Sequence, residues 1–173
     1  MRLFHVSEEP GIREFLPRIP ARKDLDPGVG LVWALDEAHL PNFFTPRDCP
    51  RVTYHATADT SPDDLRWFSS PTQRHAVVIE QRWFKRMAET TLYIYEFDPV
   101  GFALQDASAG YYVASSPQKP IACHVVDDLF AALFRRNVEL RVVDNLWSIC
   151  RGIQGTTLEW SMCRMRNAGG APQ

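Results

Sequence analysis

The chain has 173 residues, 45% of them hydrophobic, and 19 basic against 21 acidic side chains, for a net charge of −2. That size suits one core-forming domain of roughly 100 to 200 residues, and the near balance of charge excludes a global field drawing the protein to nucleic acid or an anionic membrane. The longest apolar runs, HAVVIE and TLYIYEF, are far short of the roughly 20 residues that span a bilayer. No signal-like apolar stretch follows Arg2, so no membrane partner and a cytoplasmic location are expected.

The first segment, RLFHV, sets Leu3 and His5 against Phe4 and Val6 and closes on the turn EEPG, as a short strand does. LPRIPARKDLDPG follows as a Pro-rich surface loop, and GLVWALD is a nearly continuous apolar run of buried-strand length. Pro41 in HLPNFF suits the first turn of a short helix, which TPRDCPR then stops before RVTYHA resumes strand character. SPDDLRWF carries a helix start, with Ser61 as N-cap and Asp64 three residues later.

HAVVIE reads as a strand, and QRWFKRMAE as an amphipathic helix with Trp83, Phe84 and Met87 on its apolar face. TLYIYEF is apolar on both faces, which predicts a central strand, and GYYVAS and PIACHVV are two more strand candidates. Asp127 is the expected cap of the helix DLFAALFRRN, whose stripe is Leu129, Phe130, Leu133 and Phe134, with Asn137 as a left-handed stop. VELRVV is a strand, DNLWSICRGI a short helix, and TTLEWSMCRM a last strand with Leu158, Trp160 and Met162 inward. Strands outnumber helices without alternating regularly with them. The expected fold is therefore α+β: mixed, mainly antiparallel sheets with three or four peripheral helices, in a single domain over 1–166 followed by a flexible tail at 167–173.

Chemistry has four places to sit. His5 and Ser7 share one face of the first strand, where an imidazole and a hydroxyl can meet the hydroxyls of a sugar; equally, the ring can pack beneath a loop and satisfy a carbonyl. In TPRDCPRV, Arg47 and Arg51 can clamp an anion between stiffening prolines, or Asp48 can pin the loop with Cys49 plugging the core. A nucleophilic Cys49, as in a hydrolase, is a further reading. Tyr93, Tyr95, Tyr111, Tyr112 and Trp33 offer rings for stacking, and Tyr112, before a Ser-Ser-Pro turn, is the one placed to be exposed. Glu80 and Glu96 sit in apolar strands, as edge or partnered carboxylates. The four cysteines and five histidines show no CxxC, HExxH or HxH spacing, so no metal site is assigned.

At LFHVSEEPGI, VWALDEAHLPNFFTPRDCPRV, YEFDPVGF, GYYVASSPQKP and LEWSMCRMRNA, the sequence resembles an uncharacterised family of small bacterial cytoplasmic proteins, over nearly its whole length. RLFHVS followed by GLVWAL is also similar to the opening of the ADP-ribosyltransferase-like fold, which includes tRNA 2'-phosphotransferases and nucleic-acid-directed toxins. That resemblance implies NAD as cofactor, with His5 on its adenosine-side ribose, Tyr112 or another tyrosine on the nicotinamide, and Arg47 or Arg51 at the pyrophosphate. No position is assigned the superfamily's late catalytic Glu, so no catalytic residue is named. The alternative is a non-catalytic binding or regulatory module that uses a small aromatic cleft, with Tyr112 or Trp67 at its surface.

Overall fold

The computed structural model describes residues 1–20 and 26–171. The middle of the Pro-rich loop and the last two residues of the expected tail lie outside them. In chain order the elements are β1 (Leu3–Ser7), β2 (Val32–Asp36), β3 (Arg51–His55), β4 (His75–Glu80), α1 (Phe84–Glu89), β5 (Leu92–Phe97), β6 (Ala103–Asp106), β7 (Tyr111–Ala114), β8 (Ala122–Val126), α2 (Leu129–Phe134), β9 (Glu139–Val143), α3 (Trp147–Ile153) and β10 (Glu159–Cys163). The fold is α+β, as the segment pattern predicts. Contacts divide the chain into two compact units, Met1–Leu40 with Leu92–Val126 and Pro41–Thr91 with Asp127–Gln173. Among the described residues, no helix is long and apolar enough to cross a membrane.

The first unit is one six-stranded sheet, β6-β7-β2-β1-β5-β8, with every pairing antiparallel. β5 lies between β1 and β8, an interior position in the sheet, as TLYIYEF predicts. β6, sequence ALQD, has too little apolar alternation to be read as a strand, and its residues are largely exposed. Leu3, Ala34 and Phe97 form the buried centre of one cluster, with Phe15, Phe102 and Tyr112 packed against it. At the margin, Arg2 grips Glu96 through Nε and Nη2, both 2.9 Å from a carboxylate oxygen, and His124 Nε2 stands 3.3 Å from Oε2. Gly110 has φ +65°, and a Cβ there would lie 2.2 Å from the Nδ1 of His39. That ring is in turn held against Asp36 Oδ1 at 2.7 Å.

The second unit is a four-stranded sheet, β10-β3-β4-β9, in which β4 and β9 run parallel and the other pairs antiparallel. From Ala76 to Glu80, β4 is buried without a break, which is what a strand covered on both faces requires. Val52, Tyr54, Phe68, Val78, Leu146, Cys150, Ile153 and Leu158 make its core.

Several local expectations shift by a residue or a face. HLPNFF is a 3-10 turn at Leu40–Phe43, and the helix begun at Ser61 is a 3-10 turn at Asp64–Trp67. Asp128, not Asp127, caps α2, accepting from Ala131 N at 2.9 Å. Phe134 is exposed because α2 buries Leu129, Ala132 and Leu133 instead. In α1 Met87 is buried whereas Phe84 is exposed, and Trp160 on the edge strand β10 is exposed as well. Asn137 does end its helix in the left-handed region, at φ 55°.

Residues 167–170 are held in place. Glu80, only 1% exposed, accepts from Arg82 Nε at 2.7 Å and from Gly169 N at 2.9 Å. Trp147 Nε1 donates to Gly169 O at 2.6 Å, and Asn145 Nδ2 to Gly170 O at 3.0 Å.

Two stability tests follow from these contacts. Gly110→Ala meets both the left-handed backbone and the His39 ring, so a loss of about 1–3 kcal/mol or more is expected in urea unfolding. The Arg2 guanidinium lowers the Glu96 carboxyl from an ordinary 4.5 to about 2. A depressed folded-state value stabilises above the unfolded value and is lost as pH falls through the folded one. The stability gap between the native protein and Glu96→Gln should therefore be full above about pH 5 and close toward about pH 2.

Candidate functional site

The His5 site is built by three adjacent strands. β1 pairs with β2 so that Leu3 faces Asp36 and Phe4 faces Leu35, and β2 pairs with β7 so that Ala34 faces Tyr112. Residues directly opposite one another share a face, which puts the odd positions of β1 and the even positions of β2 and β7 on one side of the sheet. His5, Ser7 and Tyr112 thus share a surface, with Ala34 on the strand between them. Two strand spacings separate β1 from β7, about 9–10 Å.

His5 Nδ1 lies 2.9 Å from the Trp33 carbonyl. A carbonyl only accepts, so Nδ1 carries the hydrogen. The ring packs 4.8 Å from Phe15, which meets Tyr95 and Phe97 edge-on at 5.2 and 5.1 Å. Tyr95 fastens the covering segment by donating to Glu9 O at 2.8 Å and accepting from Ile12 N at 3.0 Å. Burial pushes its phenol above the usual range. Ser7 Oγ accepts from Glu9 N at 3.0 Å, closing the turn, and its own hydrogen can still donate. Tyr112 is half-buried against the Leu3, Ala34 and Phe97 cluster rather than exposed. The half-buried His5, seated on a carbonyl beneath a loop, fits the structural reading of the opening strand as well as the sugar-binding one.

The second unit contains the TPRDCPR loop, and here the anion clamp is halved. Arg51 is 4% exposed: its Nε donates to Asn42 O at 2.6 Å, its Nη1 to Cys49 O at 3.1 Å, and its guanidinium stacks 4.6 Å from the Phe43 ring centre. A guanidinium committed to two carbonyls and an aromatic face does not meet phosphate. Arg47 is exposed, while its carbonyl accepts from Arg164 Nε at 3.3 Å and that of Asp48 from Asn167 Nδ2 at 2.8 Å. Cys49 is fully buried, and desolvation raises its thiol to about 12 despite the opposing field of Arg51. A thiol held neutral at physiological pH is a poor nucleophile.

The same unit assembles a row that sequence spacing does not reveal. Register pairs Glu159 with His55 and His55 with His75 across β10, β3 and β4. His55 Nε2 stands 2.8 Å from Glu159 Oε2, the two imidazoles are 5.5 Å apart, and His75 Nε2 is 2.6 Å from Asn42 Oδ1. A carboxylate beside an imidazole orients the ring and fixes its tautomer. Strand register would have found this row; residue spacing along the chain does not.

Residues 4–168 match a family described as a family of unknown function, DUF6886. The chain belongs to this family. No curated protein matches the chain. No solved structure matches it either. Membership in DUF6886 agrees with the near-full-length resemblance seen at LFHVSEEPGI and TPRDCPRV, and it brings no activity with it. Function in this DUF6886 chain must be argued from its own side chains.

The cysteines give a direct check on the geometry. Cys123 is exposed, whereas Cys49 and Cys150 are buried and their thiols raised by desolvation. Brief treatment of the folded protein with iodoacetamide should alkylate Cys123 at least about tenfold faster than Cys49 or Cys150. Peptide mass spectrometry reads this, and preferential labelling of Cys49 would restore the nucleophile.

Proposed function

We propose that the first unit holds the ribose of a nucleotide on the face carrying His5, Ser7 and Tyr112, and that this DUF6886 protein is a NAD-binding, ADP-ribosyltransferase-like protein. The observation that supports the reading is the strand register that sets His5, Ser7 and Tyr112 on one face of the sheet. His5 itself is held by its Nδ1 bond to the Trp33 carbonyl and braced by Phe15, which presets the ring's orientation on that face. Ser7 adds a hydroxyl on the same face, and the Tyr112 ring, one strand beyond Ala34, supplies a surface for a planar heterocycle. Entry of a ligand requires the Phe15 segment to lift. That movement breaks the paired backbone hydrogen bonds of Phe15 with Gln118, at 2.8 and 2.9 Å. Arg47 is proposed independently as an exposed phosphate contact; Arg51 has left that role.

A second reading, a binding or regulatory module without turnover, is favoured by a specific observation: the reactive groups nearest to chemistry in the TPRDCPR loop, Arg51 and Cys49, are both buried in structural contacts.

Thermal unfolding with NAD or ADP-ribose separates the readings. Ligand at about ten times its dissociation constant adds about 1.4 kcal/mol and should raise the melting temperature by roughly 3–6 °C. His5→Ala should abolish that shift. Release of nicotinamide marks a transferase; a His5-dependent shift without release marks the binding module. No shift at millimolar nucleotide overturns ribose binding at His5.

A further inference from the structure

The second unit has a cavity of about 250 Å³ lined by Arg66, Trp67 and Arg141, remote in sequence from every residue of the ribose reading. Two of its walls, Trp67 and Arg141, are held by the protein's own contacts. The 3-10 turn at Asp64–Trp67 presents Arg66 and Trp67, and Asp64 anchors that turn by accepting from Ser61 Oγ at 2.8 Å, Thr157 N at 2.8 Å and Thr157 Oγ1 at 2.6 Å. The indole of Trp67 presses on α3 where Gly152 leaves room, since a Cβ there would come within 2.6 Å of Cη2. Tyr54 stands edge-on to it at 6.1 Å.

Arg141, on β9, is held on one side only. Its Nη1 donates to Tyr54 Oη at 2.7 Å and to Trp67 O at 3.0 Å, and its Nε lies 3.5 Å from Glu139 Oε1. Nη2 makes no hydrogen bond among the described residues, and the side chain is 34% exposed. Glu139 is itself engaged by Ser69 N at 2.9 Å, so it balances one positive charge and remains in place. Arg66, exposed at the rim, makes no hydrogen bond and no ion pair among the described residues. The cavity therefore presents a guanidinium edge held on one side, a second, exposed guanidinium in the field of Asp64, and an indole.

We propose that this cavity binds a nucleoside monophosphate, its base stacked on Trp67 and its phosphate held between Arg141 and Arg66. Paired guanidinium donors suit phosphate oxygens, and an indole stacks on any base. The lining offers one indole and two guanidinium groups, one stacking surface and one phosphate clamp, which matches a single base with one phosphate. Ring and anion act together, so neither half of the ligand binds well alone.

Isothermal titration of the full chain with AMP, CMP, adenosine and ribose 5-phosphate tests this. AMP and CMP should bind with dissociation constants below about 1 mM, and adenosine and ribose 5-phosphate at least about tenfold more weakly. Arg66→Gln, at an exposed position, should weaken AMP about tenfold, and Trp67→Leu should do the same while narrowing the gap between AMP and ribose 5-phosphate. His5→Ala should leave AMP binding here unchanged, which keeps this site distinct from the ribose reading of the first unit. No heat with AMP at millimolar concentration, equal binding of adenosine and AMP, or native affinity in Arg66→Gln overturns the proposal. If Trp67→Leu fails to fold, the Arg66→Gln titration decides alone.

Discussion

Antiparallel register is the constraint on which the chemistry of this protein depends. Side chains directly opposite one another share a face, and a slip of one residue sends each of them to the other side. In the first unit the pairing of Phe4 with Leu35 and of Ala34 with Tyr112 gathers His5 and Tyr112 onto one surface. In the second, the pairing of Glu159 with His55 and His55 with His75 builds a row of ionisable groups from three segments far apart in the chain. Core burial enforces both registers, because the same alternation that aims these side chains also buries Leu3 and Phe97 on one sheet and Val52 and Val78 on the other.

Buried charge is handled by the main chain. Arg51 finds the carbonyls of Asn42 and Cys49, and Glu80 finds the amide of Gly169 along with Arg82. Removing water from an ion costs several kcal/mol unless its hydrogen-bonding capacity is met, and here irregular segments meet it. The loop before β3 and the segment after β10 are thereby ordered without regular secondary structure of their own. Arg51, which looks like an anion contact in the sequence, and Glu80 are both fasteners for the chain.

The strands were largely legible because apolar alternation and Pro-rich breaks are strong, local signals: LFHVS, VWALD, RVTYH, HAVVIE and LYIYEF are read from their own residues. β6 was not, since ALQD is held by its pairing with β7 rather than by a buried face. Helix ends moved by a residue or a turn where neighbouring aspartates compete, as Asp127 and Asp128 do, and only the geometry of the first turn selects between them. At the candidate sites, that His5 and Ser7 share a face followed from strand periodicity alone. The burial of Arg51, the Glu159–His55–His75 row and the meeting of Trp67 with Arg141 depend on tertiary pairing, which single-chain spacing does not carry.

The contact between Glu80 and Gly169 bears on how the second core is closed. Glu80 closes the strand β4 early in the polypeptide, but its amide donor is translated almost ninety residues later. Without Gly169 the carboxylate keeps Arg82 but loses a main-chain donor, leaving a buried ion with part of its hydrogen-bonding capacity unmet. The second core is thus closed by a glycine amide from the segment after β10 as well as by its four strands.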